Sequence, residues 1–506
     1  MSQTFLIKWR VWLSFGVFLG LMSATNAVAV SPAKNAVPWS DRSGGVTFKY
    51  YHSGLRLRWE REGGDWIDAA GERWGGSPFA RQRAASSDQG QYLEIDVSSL
   101  LKQWLVSGEN PGFLLRAGKS TMRFRSREDA TAPPLLHLSW KGVSKPQVLV
   151  SSRDTEINAS TSKSLGSQSH WRVSGGGSAL VGFDLSQFDT EQRVLEKAVL
   201  RLSLKKIYGK HGELLVYQVA HGSTDSKGLS RSQDEKPLAG IAASFLRDDG
   251  LSAHQSVWFF EDFETSEHSD LWRPAERMLL TNEQTLPGSE RALKVSIKEG
   301  TRTGLNQRYR FENFGQKAPE QGYFRYYLRF NEDWLPVTSG GKLPGFAGTY
   351  DQAGWGSRRP VASHEGWSAR GEFSRAARIG DEWVTAIGNY VYHLGQKGRF
   401  GDNWTWSQGG GAVLRKNRWY CVEQFVSLNQ RGQNNGEIKA WLDGKLVFHK
   451  QGLEFRESRW VKLQEVWFNV YYGGTARSPS DQSLLMDNVV IAGEYIGPMK
   501  SLERRP

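Results

Sequence analysis

Three short stretches in the C-terminal half of the chain hold side chains of the types that handle anions and protons. They are Gly341-Lys-Leu-Pro-Gly345, Gly366-Trp-Ser-Ala-Arg370 and Asn389-Tyr-Val-Tyr-His393. Side chains two apart on a strand share a face, so Ser368 would stand beside Arg370, and Tyr390 beside Tyr392. If the strands are neighbours, Lys342, the Ser/Arg pair and the Tyr/Tyr pair converge. That set suits one reaction, the cleavage of a 4-linked polyuronate by β-elimination. The reaction removes the C5 proton, alpha to a carboxylate, and expels O4. The carbanion forms only where the carboxylate charge is offset, which Lys or Arg can do. Tyr can serve as acid or base when nearby cations lower its pKa. No metal or other cofactor is called for if the cations do the neutralising.

His364 and His393 are further candidates for a base or a substrate contact. Trp355, Trp383, Trp404 and Trp406 are candidates for stacking on sugar rings. Each residue taken singly also has an ordinary reading: a solvated lysine, outward strand residues, packed cross-strand aromatics, a hydrogen-bonded histidine. The local charge favours the chemical reading. Between Arg302 and Arg431 there are 18 Lys or Arg and 11 Asp or Glu, an excess of +7 around the three stretches.

The elements that must position these residues read as strands. The segment from 257 to 498 opens with Phe259-Phe-Glu-Asp-Phe-Glu264. In Tyr323-Phe-Arg-Tyr-Tyr-Leu-Arg-Phe330, a period of two puts Tyr323, Arg325, Tyr327 and Arg329 toward solvent or a groove and the other four toward a core. Arg325 and Arg329 thereby become candidate substrate contacts. Asp443-Gly444 between two alternating runs predicts a hairpin, because it suits the positive φ of a type I′ turn. Seven or more long antiparallel strands predict a jelly-roll, concanavalin-like sandwich whose concave face can hold an extended chain.

Upstream, the whole chain is also predicted to be all-β. Segments 46–142 and 148–246 carry short alternating runs between turn residues, which predicts one or two N-terminal β-sandwich modules. Within the first, apolar residues at 97, 100, 101, 104 and 105 predict a helix, capped by Asp96 or Ser98. Residues 30–45 read as a linker. Residues 1–29 combine Lys8 and Arg10, an apolar stretch from Val11 to Met22, and Ala27-Val-Ala29, which predicts a cleaved signal peptide and a secreted or periplasmic protein.

The formal charge is +12, and 21 Trp residues accompany it, which suits an anionic partner with flat faces. Export argues for an acidic polysaccharide and against nucleic acid. No membrane association is expected after cleavage, and a monomer is expected. The single cysteine, Cys421, rules out an intramolecular disulfide framework.

Two resemblances follow from these residues. The segment 257–498 resembles polysaccharide lyase family 14, the alginate and glucuronan lyases. The resemblance rests on Lys342-Leu-Pro-Gly345, Ser368-Ala-Arg370, Tyr390-Val-Tyr392, Trp419-Tyr-Cys-Val-Glu423, Asn434-Asn-Gly436, Trp441-Leu-Asp-Gly444 and Tyr471-Tyr-Gly-Gly474. It implies a β-jelly roll in which Lys342, Ser368, Arg370, Tyr390 and Tyr392 are the catalytic residues. One departure stands out: the stretch from Arg370 to Tyr390 is longer than the family's tight hairpin. The upstream segments resemble DNRLRE-type carbohydrate-associated β-sandwich modules, on Phe183-Asp-Leu-Ser186 with Ala198-Val-Leu-Arg-Leu202, and on Glu94-Ile-Asp-Val97 with Trp104, Asn110, Gly112 and Phe113. The first segment is similar to the later half of such a module and the second to the earlier half. The expected activity is therefore β-elimination on alginate or glucuronan. The alternative is a non-catalytic protein that binds acidic polysaccharide. A retaining glycoside hydrolase would need two carboxylates about 5 Å apart, and no Glu-x-Asp-x-Glu strand supplies them.

Overall fold

The computed structural model describes residues 39–41, 45–107, 110–186, 188, 193–220, 239–265, 271, 278–360, 366–379, 381–408 and 411–500. The expected signal peptide lies outside these residues, as does His364.

The N-terminal unit is a sandwich of two six-stranded antiparallel sheets. Its organising strand is Leu195–Tyr208, which pairs with Tyr92–Asp96, Thr121–Arg125 and Leu135–Trp140. In the facing sheet, Phe113–Ala117 lies between Gly177–Gly182 and His211–Val219. Both sheets therefore mix strands from the two upstream segments, and Leu115, Phe124, Leu138, Val181, Leu200 and Val216 share one core. Segments 46–142 and 148–246 form a single sandwich, one of the two arrangements that the sequence left open. The predicted helix spans Ser98–Ser107, buries Leu100, Leu101 and Trp104, and begins where the Asp96 carboxylate accepts the Ser98 N–H at 2.9 Å.

The C-terminal unit is a jelly roll of two eight-stranded antiparallel sheets. The back sheet runs Met278–Thr281, Ala292–Ile297, Gln482–Ala492, Gln321–Phe330, Trp419–Ser427, Gly436–Leu442 and Lys445–Leu453, with Val257–Glu261 also on Gln482–Ala492. The front sheet runs Thr303–Arg310, Glu465–Tyr471, Gly341–Gly348, Trp367–Phe373 and Glu382–Tyr392. Alternation explains the packing. Leu305, Phe346, Ala369, Val391 and Phe468 of the front sheet meet Phe324, Leu328, Val422 and Met486 of the back sheet in one core. Asp443 at φ 50° and Gly444 at φ 79° make the predicted tight hairpin turn. Cys421 is a buried free thiol.

The structure overturns one reading. Arg325 and Arg329 lie on the back sheet and do not reach the front face. The outward side of their strand is covered by the inter-unit segment and by the chain beyond the last strand. Arg325 is fully buried in a bidentate pair with Asp248 and donates to the carbonyls of Gly497 and Asn488 at 3.3 Å. Tyr327 accepts the Met499 N–H at 2.9 Å, and Arg329 is held by Gln284 and Asn417. Period two identifies an outward face but not what lies over it.

The long connection from Arg370 to Tyr390 also has a structural account. The second half of Glu382–Tyr392 pairs with Trp367–Phe373, while its first half pairs with Ala377–Ile379 and Val413–Arg415 as an extended arm. Val384 and Ala386 of the arm share a cluster with Tyr51, Leu55, Leu57 and Trp59. The arm is the platform on which the N-terminal unit docks, and burying each Leu or Val contributes about 1.5–3 kcal/mol.

Removing one member of a buried ion pair leaves the other uncompensated. Arg325→Ala should therefore lose roughly 3–5 kcal/mol of stability, measured by denaturant unfolding, although the residue makes no contact with the front sheet.

Candidate active site

The front sheet brings the three stretches together. Lys342 stands opposite Glu372, Arg370 opposite Tyr390, and Ser368 opposite Tyr392, so the five predicted residues occupy three consecutive strands. The Lys-Leu-Pro-Gly motif has a packing reason. Pro344 has no N–H to donate, and the register shifts between Leu343 and Gly345. Because of that shift both Leu343 and Phe346, three apart, face the core, while Lys342 faces the groove. A Cβ at Gly345 would lie 2.5 Å from the Ala369 carbonyl oxygen, so only glycine lets the arginine strand come this close.

The cations are tightly held. Lys342 Nζ lies 3.5 Å from the centroid of the Tyr390 ring and donates to the Gly340 carbonyl. Arg370 Cζ is 5.9 Å from that centroid and 4.4 Å from the Trp467 ring, and Nη1 donates to Asn469 Oδ1 at 3.0 Å. Both side chains are more than nine-tenths buried, and among the described residues neither has a carboxylate within ion-pair distance. Burial, reinforced by the Arg370 charge, pulls the Lys342 ammonium well below the usual lysine value, and Glu372 opposes that fall. Burial likewise pushes the Glu372 carboxyl up, against the pull of Lys342 and Arg56.

The two phenols form a pair. Their hydroxyl oxygens are 3.5 Å apart, and each accepts one backbone N–H at 3.1 Å, Tyr390 from Gly401 and Tyr392 from Ser357. A nearby cation was expected to lower a tyrosine pKa. At Tyr390 burial and the Tyr392 hydroxyl outweigh Arg370, and the phenol is raised above its ordinary value. Tyr390 is thus a protonated phenol in the resting protein, ready to donate.

The remaining candidates divide. Ser368 is fully buried and its hydroxyl donates to the Gly354 carbonyl at 2.6 Å, so it anchors the loop that carries Trp355 and Ser357. Trp355 is half-buried at the rim with Arg358 4.9 Å from its ring centroid. His393 Nε2 lies 3.0 Å from Asp402 Oδ2, and its ring packs 5.3 Å from Trp404 rather than against the phenols. Trp383 lies on the exposed arm beside Arg378, seven positions and about 23 Å along the strand from Tyr390. Trp406 is a core residue that donates to Asn389 at 2.7 Å. Sequence reasoning missed Glu372, Asn469 and Trp467. Glu372 follows from the same alternation one step beyond Arg370, and Glu465-Val-Trp-Phe-Asn-Val-Tyr471 alternates as plainly as the tyrosine strand. Among the described residues, no group of three or more His, Cys, Asp or Glu is placed to hold a metal ion.

Residues 286–489 match the family model described as polysaccharide lyase 14, a span that contains all five groove residues. The C-terminal unit is a polysaccharide lyase domain. A comparison with curated proteins finds no match. Among solved structures, the lyase domain is similar to alginate lyase Aly36B at 16% identity and TM-score 0.36, over 48% of this chain and 95% of that one. It is also similar to the marine PL-14 alginate lyase from Aplysia kurodai, at 18% identity and TM-score 0.37, over 47% and 99%. An endo-β-1,4-glucuronan lyase from the fungus Trichoderma reesei matches at 14% identity and TM-score 0.32, over 47% and 95%.

Because kcat/KM reports ionisations of the free enzyme, the lyase domain should lose activity on the alkaline side well below the ordinary lysine pKa of about 10.4, as Lys342 sheds its charge. Glu372→Gln removes the anion that raises Lys342, so that limb should move to lower pH. A pH profile of kcat/KM for both proteins checks the sign.

Proposed function

We propose that the chain is a secreted lyase that cleaves a 4-linked polyuronate such as alginate or glucuronan by β-elimination. The observation that carries the reading is the pair of buried cations, which among the described residues have no carboxylate at ion-pair distance, set against two hydroxyls. Arg370 and Lys342 receive the carboxylate of the reacting sugar and stabilise the charge that builds on it when C5 is deprotonated. The pair Tyr390/Tyr392 reacts holding one proton between its two oxygens, and the oxygen that is phenolate takes the C5 proton. The C5–H electron pair becomes the C4=C5 double bond, the C4–O4 bond breaks, and O4 leaves with a proton from the other phenol. The pair then returns to its starting state by passing one proton across the 3.5 Å between the hydroxyls. Ser368 acts by fixing the loop whose Ser357 N–H holds Tyr392. Export is supported by the signal-like pattern of residues 1–29.

The closeness of the two hydroxyls favours a substrate in which H5 and O4 lie on one side of the ring. That is the arrangement in D-mannuronate and D-glucuronate, while L-guluronate places them on opposite sides. The purified protein should raise the ultraviolet absorbance of poly-mannuronate or glucuronan faster than that of poly-guluronate. Lys342→Ala and Arg370→Ala should each lower kcat by about 10²–10³-fold, and Tyr392→Phe by about 10²–10⁴-fold, with circular dichroism unchanged. An unchanged absorbance on all of these polymers would sink the proposal in favour of a binding protein.

A further inference from the structure

The cluster that joins the two units also brings an N-terminal hairpin against the groove. Tyr50–His52 and Leu57–Arg58 pair as its two strands, and the Tyr51 hydroxyl reaches the Ser407 carbonyl at 3.5 Å. Its buried Tyr51, Leu55 and Leu57 cluster with Val384 and Ala386, which by alternation share a face with Tyr390 and Tyr392. The hairpin therefore stands on the catalytic side of the long strand.

Between this hairpin and the strand Asp402–Thr405 is a cavity of about 470 Å³, lined by Tyr50, Arg56, Arg58, Asn403 and Trp404 among others. That volume falls within the roughly 300–1,000 Å³ typical of small-ligand sites. The cavity adjoins the catalytic cluster through Asn403. This residue is the cross-strand partner of Tyr390, and its Oδ1 and Lys342 Nζ lie 3.9 and 4.0 Å from the point where a Cβ on Gly340 would stand.

The lining is cationic. Asp402 also faces the cavity but is engaged with His393. Arg58 is exposed and leans on the Tyr50 ring at 5.4 Å. Arg56 is half-buried, and among the described residues its guanidinium has neither a hydrogen-bond acceptor nor an ion-pair partner. Its backbone sits at φ 56°, a left-handed conformation that costs a non-glycine residue on the order of 1–3 kcal/mol. Arg56 is also close enough to depress the Lys342 ammonium.

We infer that Arg56, assisted by Arg58 and Asn403, binds the carboxylate of a uronate residue adjacent to the one that reacts, so that the N-terminal unit completes the substrate groove of the lyase domain. This rests on the polyuronate reading above and assigns a binding role to a segment outside residues 286–489. Guanidinium and carboxylate pair through two parallel hydrogen bonds, and an unpaired guanidinium beside two further cations is suited to the next negative charge along a polyuronate.

The test uses the full chain with Tyr392→Phe to suppress turnover, titrated with a saturated uronate tetramer and followed by calorimetry. Adding Arg56→Gly should weaken binding by about tenfold. It should not lower the melting temperature, because glycine accepts the positive φ without strain. Adding Arg56→Lys instead should retain part of the affinity. In the otherwise native enzyme, Arg56→Gly should raise KM on polymer more than it lowers kcat. Tetramer affinity within about twofold of the parent after Arg56→Gly, or a parent that binds no uronate tetramer, overturns the inference. The absorbance assay judges the lyase reading separately: tetramer binding that depends on Arg56 without any rise in absorbance would leave this site standing and remove the activity.

Discussion

Two cations buried on one face of a sheet repel each other and lose their hydration, and the arrangement of the front sheet answers to that constraint. Taking each ion out of water costs several kcal/mol. What offsets it here is a set of dipoles and ring faces, with one carboxyl group at a distance. Lys342 rests on the Tyr390 ring and the Gly340 carbonyl; Arg370 rests on Trp467 and Asn469. A direct ion pair would satisfy each cation more fully but would leave it nothing to offer an incoming carboxylate.

The surrounding strands support this unsatisfied centre with satisfied ones. Trp467 is stacked from two sides, by Arg370 at 4.4 Å and by Arg308 at 4.1 Å, and its indole N–H is fixed on Asn306. Arg308 and Arg310 both close on Glu465, which is fully buried, and on Asp351, so the charge that flanks the groove on that side is neutralised. The contrast separates a structural arginine from a receptive one: five arginines lie on the strands of this sheet, and among the described residues Arg370 alone lacks a carboxylate. On the back sheet, the Arg325–Asp248 pair follows the same structural pattern and ties the inter-unit segment to the jelly roll.

Ser368, Arg370, Tyr390 and Tyr392 were legible because each lies in a run where period two is unbroken. Lys342 needed more, since the shift at Pro344 changes the alternation just after it, and the motif rather than the period marks it. At Arg325 and Arg329 alternation alone says too little. Their alternation is as clean as that of Arg370, but segments distant in the sequence fold over them and turn an outward face into a second interior. In the upstream half the choice between one sandwich and two stayed open for a related reason. Turn residues near 142–148 divide the sequence there, while the pairing of Leu195–Tyr208 with three strands from the other side of that divide leaves no local trace. The extra length between Arg370 and Tyr390 was visible as length alone, and its purpose became evident only when the arm was found beneath Leu55 and Leu57.

The strand Leu195–Tyr208 has a further consequence, for the order in which the protein can assemble. Three strands made more than fifty residues earlier have no completed sheet until it arrives: Tyr92–Asp96, Thr121–Arg125 and Leu135–Trp140 all take it as their partner. Pairings this far apart in the chain make folding slow, because loop closure must precede the contacts that reward it. Until that point the first segment exposes apolar strands with open edges, a state prone to association with other chains. The N-terminal sandwich can therefore close only after Leu195–Tyr208 has been made, and the jelly roll downstream, whose arm receives it, can acquire its docked hairpin only once that closure has taken place.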